Sequence, residues 1–128
     1  MGAKVYGAGT SKITVIGVKK LYKTSYRVMP DRIEAGTYLC ATAITNGRIK
    51  IENANPKDLM EVLYKLKEIG CKIIISRNEI ILSSPKTLKS TNIKTNPYPG
   101  FPTDMQQIFT TILTKAKGKS KVEENIFE

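Results

Sequence analysis

Between Asn92 and Gln107 the chain reads Asn-Ile-Lys-Thr-Asn-Pro-Tyr-Pro-Gly-Phe-Pro-Thr-Asp-Met-Gln-Gln. Each proline fixes φ and removes a backbone donor, so Pro97 to Pro102 can form neither an ordinary helix nor a central strand. The stretch reads as a stiff, extended loop that carries Thr103 and Asp104 into the first turn of a helix. A capping-type threonine followed by aspartate is favourable there, because unpaired N–H groups and the positive dipole end face the carboxylate. The same stiffness would hold one carboxylate in a fixed place, which makes Asp104 the first candidate for chemistry.

The rest of the chain divides into short elements. Lys4–Tyr6, a Gly7-Ala8-Gly9 turn and Lys12–Ile16 predict a hairpin, and Tyr26–Val28 a short strand closed by Met29-Pro30. Asp31 opens a helix to about Thr45, ended by Gly47. Its small residues, among them Ala35, Gly36, Ala41 and Ala43, predict burial on several sides. Arg48–Glu52 alternates as a strand. Asn55 caps the next helix, Pro56 suits its first position, Leu59, Val62, Leu63 and Leu66 share one face, and Gly70 stops it. Lys72–Ser76 and Glu79–Leu82 predict a hairpin around Arg77-Asn78, largely covered by helices. Ile93–Thr95 reads as a strand. Met105, Ile108, Phe109, Ile112 and Leu113 line one face of the last helix, which Gly118 stops before a strand at Lys121-Val122-Glu123.

Laid over itself, the pattern repeats. Gly2 and Lys4 recur as Gly70 and Lys72, each pair followed by a hairpin, a linker and a short strand. Pro30-Asp31 matches Thr103-Asp104, each opening a buried-type helix. Gly47, Lys50, Ile51 and Glu52 match Gly118, Lys121, Val122 and Glu123. The unit is strand, helix, strand, helix, strand, strand, about 70 residues long, which points to duplicated subdomains rather than a solenoid. The expected division is a partial repeat at 1–28, a complete central one at 29–96 and the start of another at 97–128. Such a piece resembles a segment cut from a longer protein.

With 128 residues and 41% hydrophobic content the chain has the size and composition of one globular domain. It has two cysteines, Cys40 and Cys71, and no histidine, so a zinc site of the usual kind and Ser-His or Cys-His catalysis within the chain are not expected. Both cysteines read as buried small hydrophobes, and a reduced, cytoplasmic setting fits them. No apolar run is long enough to span a bilayer. The formal net charge of +10 calls for an anionic partner if it calls for any. Lysines cluster only at Lys115, Lys117, Lys119 and Lys121, and no RNA-binding motif accompanies them, so nucleic acid rests on charge alone.

Met1-Gly2-Ala3-Lys4 with Gly7-Ala8-Gly9-Thr10, the run Pro30-Asp31-Arg32-Ile33-Glu34-Ala35-Gly36-Thr37, Ile51-Glu52-Asn53-Ala54, and Pro97 through Gln106 resemble UDP-N-acetylglucosamine 1-carboxyvinyltransferase. The resemblance runs through essentially all of the chain. It implies an α+β fold of βαβαββ repeat units belonging to an inside-out α/β barrel (a prism), three units to each of two lobes. The activity it implies is transfer of enolpyruvyl from phosphoenolpyruvate to UDP-N-acetylglucosamine at the start of peptidoglycan synthesis, with release of phosphate and no metal or organic cofactor.

By the same resemblance Asp104 contacts the sugar and takes the proton of the attacking hydroxyl, and Ile126 contacts the nucleotide sugar. Asp31 lines the interlobe cleft or simply caps its helix; Arg32 faces phosphate or solvent. The departures are as informative. The family's cysteine-bearing catalytic loop, its N-terminal Lys-Asn pair and several phosphate-binding arginines are absent, Gln107 stands where alanine is common, and Lys121 to Asn125 departs from a threonine-rich wording. The segment thus holds part of one substrate site and too little for turnover. The alternatives are enolpyruvylshikimate-phosphate synthase, a basic RNA-binding module, and an inactive fragment that self-associates through exposed sheet edges.

Overall fold

The computed structural model describes residues 1–127, and Glu128, the end of the third expected repeat portion, lies outside the described residues. Its central sheet has the order β3-β5-β4, from β3 (Arg48–Glu52), β4 (Lys72–Ile75) and β5 (Glu79–Ser83), all antiparallel. Ile80 and Leu82 of the middle strand are fully buried. On the other face the register sets Glu52 opposite Glu79, and Lys50 bridges both carboxylates at 2.9 Å. Facing like charges would otherwise weaken the pair of strands.

Helix α1 (Arg32–Ile44) begins at Asp31, whose carboxylate accepts from the N–H groups of Ile33 at 2.7 Å and Glu34 at 3.2 Å. Its small residues do bury it: Ala35, Gly36, Leu39, Cys40, Thr42 and Ala43 are all buried. A Cβ on Gly36 would stand 2.8 Å from Met105 Sδ, so this glycine lets α1 approach the 103–105 turn. A 3-10 turn (Pro56–Leu59), with Lys57 N–H bonded to the Asn55 side chain, leads into α2 (Met60–Glu68). Val62, Leu63 and Leu66 close the core from that side, and Gly70, at φ +105°, ends the helix in a conformation other residues rarely adopt.

A second 3-10 turn (Thr103–Met105) and α3 (Gln106–Leu113) join β6 (Ile93–Lys94) to β7 (Val122–Glu123), two strands paired in parallel. Phe109 and Met105 are wholly buried, with Phe101 edge-on to Phe109 at 5.6 Å between ring centres. At the N-terminus β1 (Lys4–Tyr6) and β2 (Thr14–Ile16) form the expected hairpin. Gly7 turns it at φ +75°, where a Cβ would collide with the Lys12 carbonyl at 2.2 Å.

Five expectations need correction. Tyr26–Val28 is not a strand: it joins no ladder, and Tyr26 and Val28 are each 79% exposed. Short β-type residues make a strand only where an edge is available to pair. The β4–β5 hairpin is covered on one face only: Ile74 of the outer strand turns to solvent, and even Ile75, on the covered face opposite Ile80, is exposed at the strand's end. Asn46 rather than Gly47 takes the left-handed turn after α1, at φ +57°, its amide donating to the Pro85 carbonyl at 2.7 Å. The last helix ends at Leu113, well before Gly118, as the chain closes through tighter bonds from Lys115 to Ile112 and Ala116 to Leu113. Thr103, finally, does not cap: the position before the turn is Pro102, and no side-chain cap bond forms. Among the described residues no helix is long and apolar enough to cross a membrane.

Candidate active site

The proline stretch folds as a closed knuckle. Asn96 N–H donates to the Phe101 carbonyl at 3.0 Å and Gly100 N–H to the Pro97 carbonyl at 2.8 Å, while buried Phe101 anchors the far end against Phe109. Gly100 is required sterically, since a Cβ there would stand 2.6 Å from that of Asn96. Tyr98 projects outward, and the Arg32 guanidinium lies over its ring at 5.3 Å from the centroid. A cation over a ring face is attracted by the π-electrons, so this contact ties the head of α1 to the loop.

Beyond Pro102 the chain turns through Met105 N–H to the Pro102 carbonyl, at 3.0 Å. Asp104 sits on this turn, exposed, and among the described residues its carboxylate makes no ion pair. Its neighbour Thr103 instead donates to Glu124 Oε2 at 2.9 Å. The other oxygen, Oε1, accepts from Thr95 Oγ1 at 2.7 Å and from the N–H groups of Ile126 at 2.7 Å and Phe127 at 3.3 Å. Thr95 Oγ1 also accepts from Asn125 N–H at 2.8 Å. Burial alone would raise the Glu124 carboxyl; these donors outweigh it and hold the group below its ordinary value.

The structure therefore ties the turn that bears Asp104 to the backbone of Ile126, through Thr103 and the Glu124 carboxylate, and Arg32 to the proline loop through Tyr98. It does not bring Asp31 to Asp104. Asp31 is committed to its own helix, and beside it Glu34, Tyr38, Glu52 and Asn53 line a concavity of about 320 Å³. Asp104 lines neither that concavity nor the smaller one between Tyr98–Pro102 and the head of α2. Sequence reasoning missed Glu124, Thr95 and Thr103 as a staple, because hydroxyl and carboxylate meet across 21 to 29 positions of chain. The available signal was a threonine in the strand Ile93–Thr95, where an inward polar side chain needs a partner. Both thiols are unsuited to attack: burial pushes Cys40 to about 12 and Cys71 to about 11, so each stays protonated at neutral pH.

The EPSP synthase (3-phosphoshikimate 1-carboxyvinyltransferase) family pattern matches residues 1–128. This chain belongs to that family. Its curated relatives include proteins called UDP-N-acetylglucosamine 1-carboxyvinyltransferase from Geotalea daltonii, 49% identical over 128 residues, Finegoldia magna, 47% over 130, and Clostridium botulinum, 50% over 128. In each comparison all of this chain is covered but only 31% of the relative. The crystal structure of the enolpyruvyl transferase NikO from Streptomyces tendae superposes with a TM-score of 0.75 over 96% of this chain and 30% of that one. At 20% identity that likeness shows the fold, a mixed α and β arrangement of enolpyruvyl-transferase type. The staple, knuckle and stacked arginine are thus features of a carboxyvinyltransferase-family segment.

Proposed function

We propose that this chain supplies part of the sugar-binding wall of an enzyme that transfers enolpyruvyl from phosphoenolpyruvate to the 3-hydroxyl of UDP-N-acetylglucosamine. Asp104 accepts the hydroxyl proton as the sugar oxygen bonds to C2 of phosphoenolpyruvate and an acid elsewhere in the enzyme protonates C3 across the opening double bond. Loss of a C3 proton then expels phosphate from C2 and restores the double bond. The carboxylate is a weak base at a helix N-terminus, so its contribution is position more than basicity. Ile126 packs against the nucleotide sugar, Arg32 faces an anionic group of the substrates, and Asp31 supports the same wall by capping α1. The carrying observation is that Asp104 is exposed and, among the described residues, free of ion pairs, on a turn held from both sides by the Phe101 anchor and the Thr103–Glu124 bond.

The βαβαββ repeat of a prism lobe, divided at 1–28, 29–96 and 97–128, belongs to the same reading. It is supported by the left-handed Gly2 and Gly70, which precede two hairpins of equivalent register. A cytoplasmic setting accompanies these substrates.

Titration of the chain with UDP-N-acetylglucosamine, followed by amide NMR, is expected to move Thr103 to Gln106 and Ile126. Asp104→Asn in the full-length enzyme that contains this segment should lower kcat by about 10²- to 10⁴-fold with little change in fold. Turnover close to that of the unsubstituted enzyme would remove Asp104 from the mechanism.

A further inference from the structure

Among the described residues four lysines are held in ion pairs: Lys50 with Glu52 and Glu79, Lys65 with Glu68, Lys94 and Lys121 with Glu123. A concavity of about 480 Å³ gathers three basic groups that are not. Arg27, Lys57 and Arg77 all line it, and no carboxylate does. Among the described residues none of the three makes an ion pair. The nearest acids in sequence are engaged elsewhere: Glu79 pairs with Lys50 at 2.9 Å, Asp58 accepts from the Asn55 amide at 2.9 Å, and Asp31 accepts from the N–H groups of its own helix.

The three cations come from separate parts of the chain: the exposed segment before α1, the 3-10 turn heading α2, and the β4–β5 turn. Two of these are held in place. Ala54 N–H donates to the Asn78 carbonyl at 3.1 Å, continuing the β3–β5 ladder and fixing the Arg77 turn above Ala54. The Asn55 side chain accepts from Lys57 N–H and sets the turn bearing that lysine. Asn53, at φ +58°, and Asn78 add amide donors to the same wall. Positive groups gathered around one hollow repel each other, and an anion that bridges them relieves the repulsion.

We propose that this concavity binds the phosphate or diphosphate group of a small anionic ligand. It is independent of the reading of Asp104, since none of its three cations lies in the proline loop or the 103–105 turn. The probe is pyrophosphate, titrated into the chain at low ionic strength and followed by amide NMR. Saturable shifts are expected at Asn53, Ala54, Arg77 and Asn78. Combining Arg27→Gln, Lys57→Gln and Arg77→Gln should weaken binding by about tenfold or more. Removing the same charge with Lys115→Gln, Lys117→Gln and Lys119→Gln should change it by less than about twofold. Equal weakening by the two triple variants, shifts centred on residues 115–121, or no saturable binding would each overturn the proposal.

Discussion

The hairpins β1–β2 and β4–β5 have equivalent registers: Val5 pairs with Val15 where Ile73 pairs with Leu82. Leu82 is fully buried, whereas Val15 is 64% exposed. One step along, Ile80 is fully buried and Ile13 is 61% exposed. Both hairpins turn on Gly- or Asn-containing loops and both place apolar residues on one face. What separates them is cover. In the second, β3 pairs with the free edge of β5, and α1 and α2 lie across the sheet. In the first, among the described residues, β2 has only β1 beside it. Apolar alternation specifies which face can be buried, and burial itself requires a neighbour to remove that face from water.

The largest test of this contrast is truncation at matched positions. Leu82→Ala should cost about 2–5 kcal/mol in denaturant unfolding, the range for a fully buried leucine, and Val15→Ala less than about 0.5 kcal/mol. Equal costs would mean that the two hairpins are equally covered and would break the comparison. A second test sharpens it with thiols. Cys71, at the head of the covered hairpin, is held by burial at about 11, about a hundredfold below an ordinary thiol in reactive thiolate at pH 8. Alkylation of native chain carrying Val15→Cys should therefore label the new thiol first, with Cys40 and Cys71 reacting only after unfolding. The smallest effect is acid detachment of the C-terminal segment. Because the fold lowers the Glu124 carboxyl, its stabilisation is complete above the ordinary glutamate value of about 4.3 and is lost as pH falls through the lower folded value. Hydrogen exchange at Ile126 and Phe127 should then quicken below about pH 4 while Ile80 and Leu82 keep their protection; simultaneous loss would make the staple part of the core.

Much of this fold was legible along the chain because its signals are local. Asp31, Asn55 with Pro56, and Gly70 announce helix boundaries through backbone groups a few residues away, and the Val62–Leu66 spacing marks a face without reference to any partner. Tyr26–Val28 failed as a strand for the opposite reason: the same β-type residues are equally content as an extended exposed segment when no edge lies beside them. For the site, Asp104 and its stiff approach could be read directly from the prolines. Glu124, which fastens the turn, could not, since its role depends on Thr95 and Thr103 arriving at one carboxylate from two different elements.

By itself the sequence determined that Asp31 and Asn55 open helices, that Gly70 stops one, and that a rigid loop delivers Asp104 to a helix start. Those outcomes follow from fixed φ angles and from hydrogen bonds spanning three or four residues. Tertiary structure alone decided which hairpin is covered, that Arg32 stacks on Tyr98, and that Arg27, Lys57 and Arg77 meet around one hollow. Burial and charge proximity depend on distances between segments remote in sequence, and only the packed chain sets those distances.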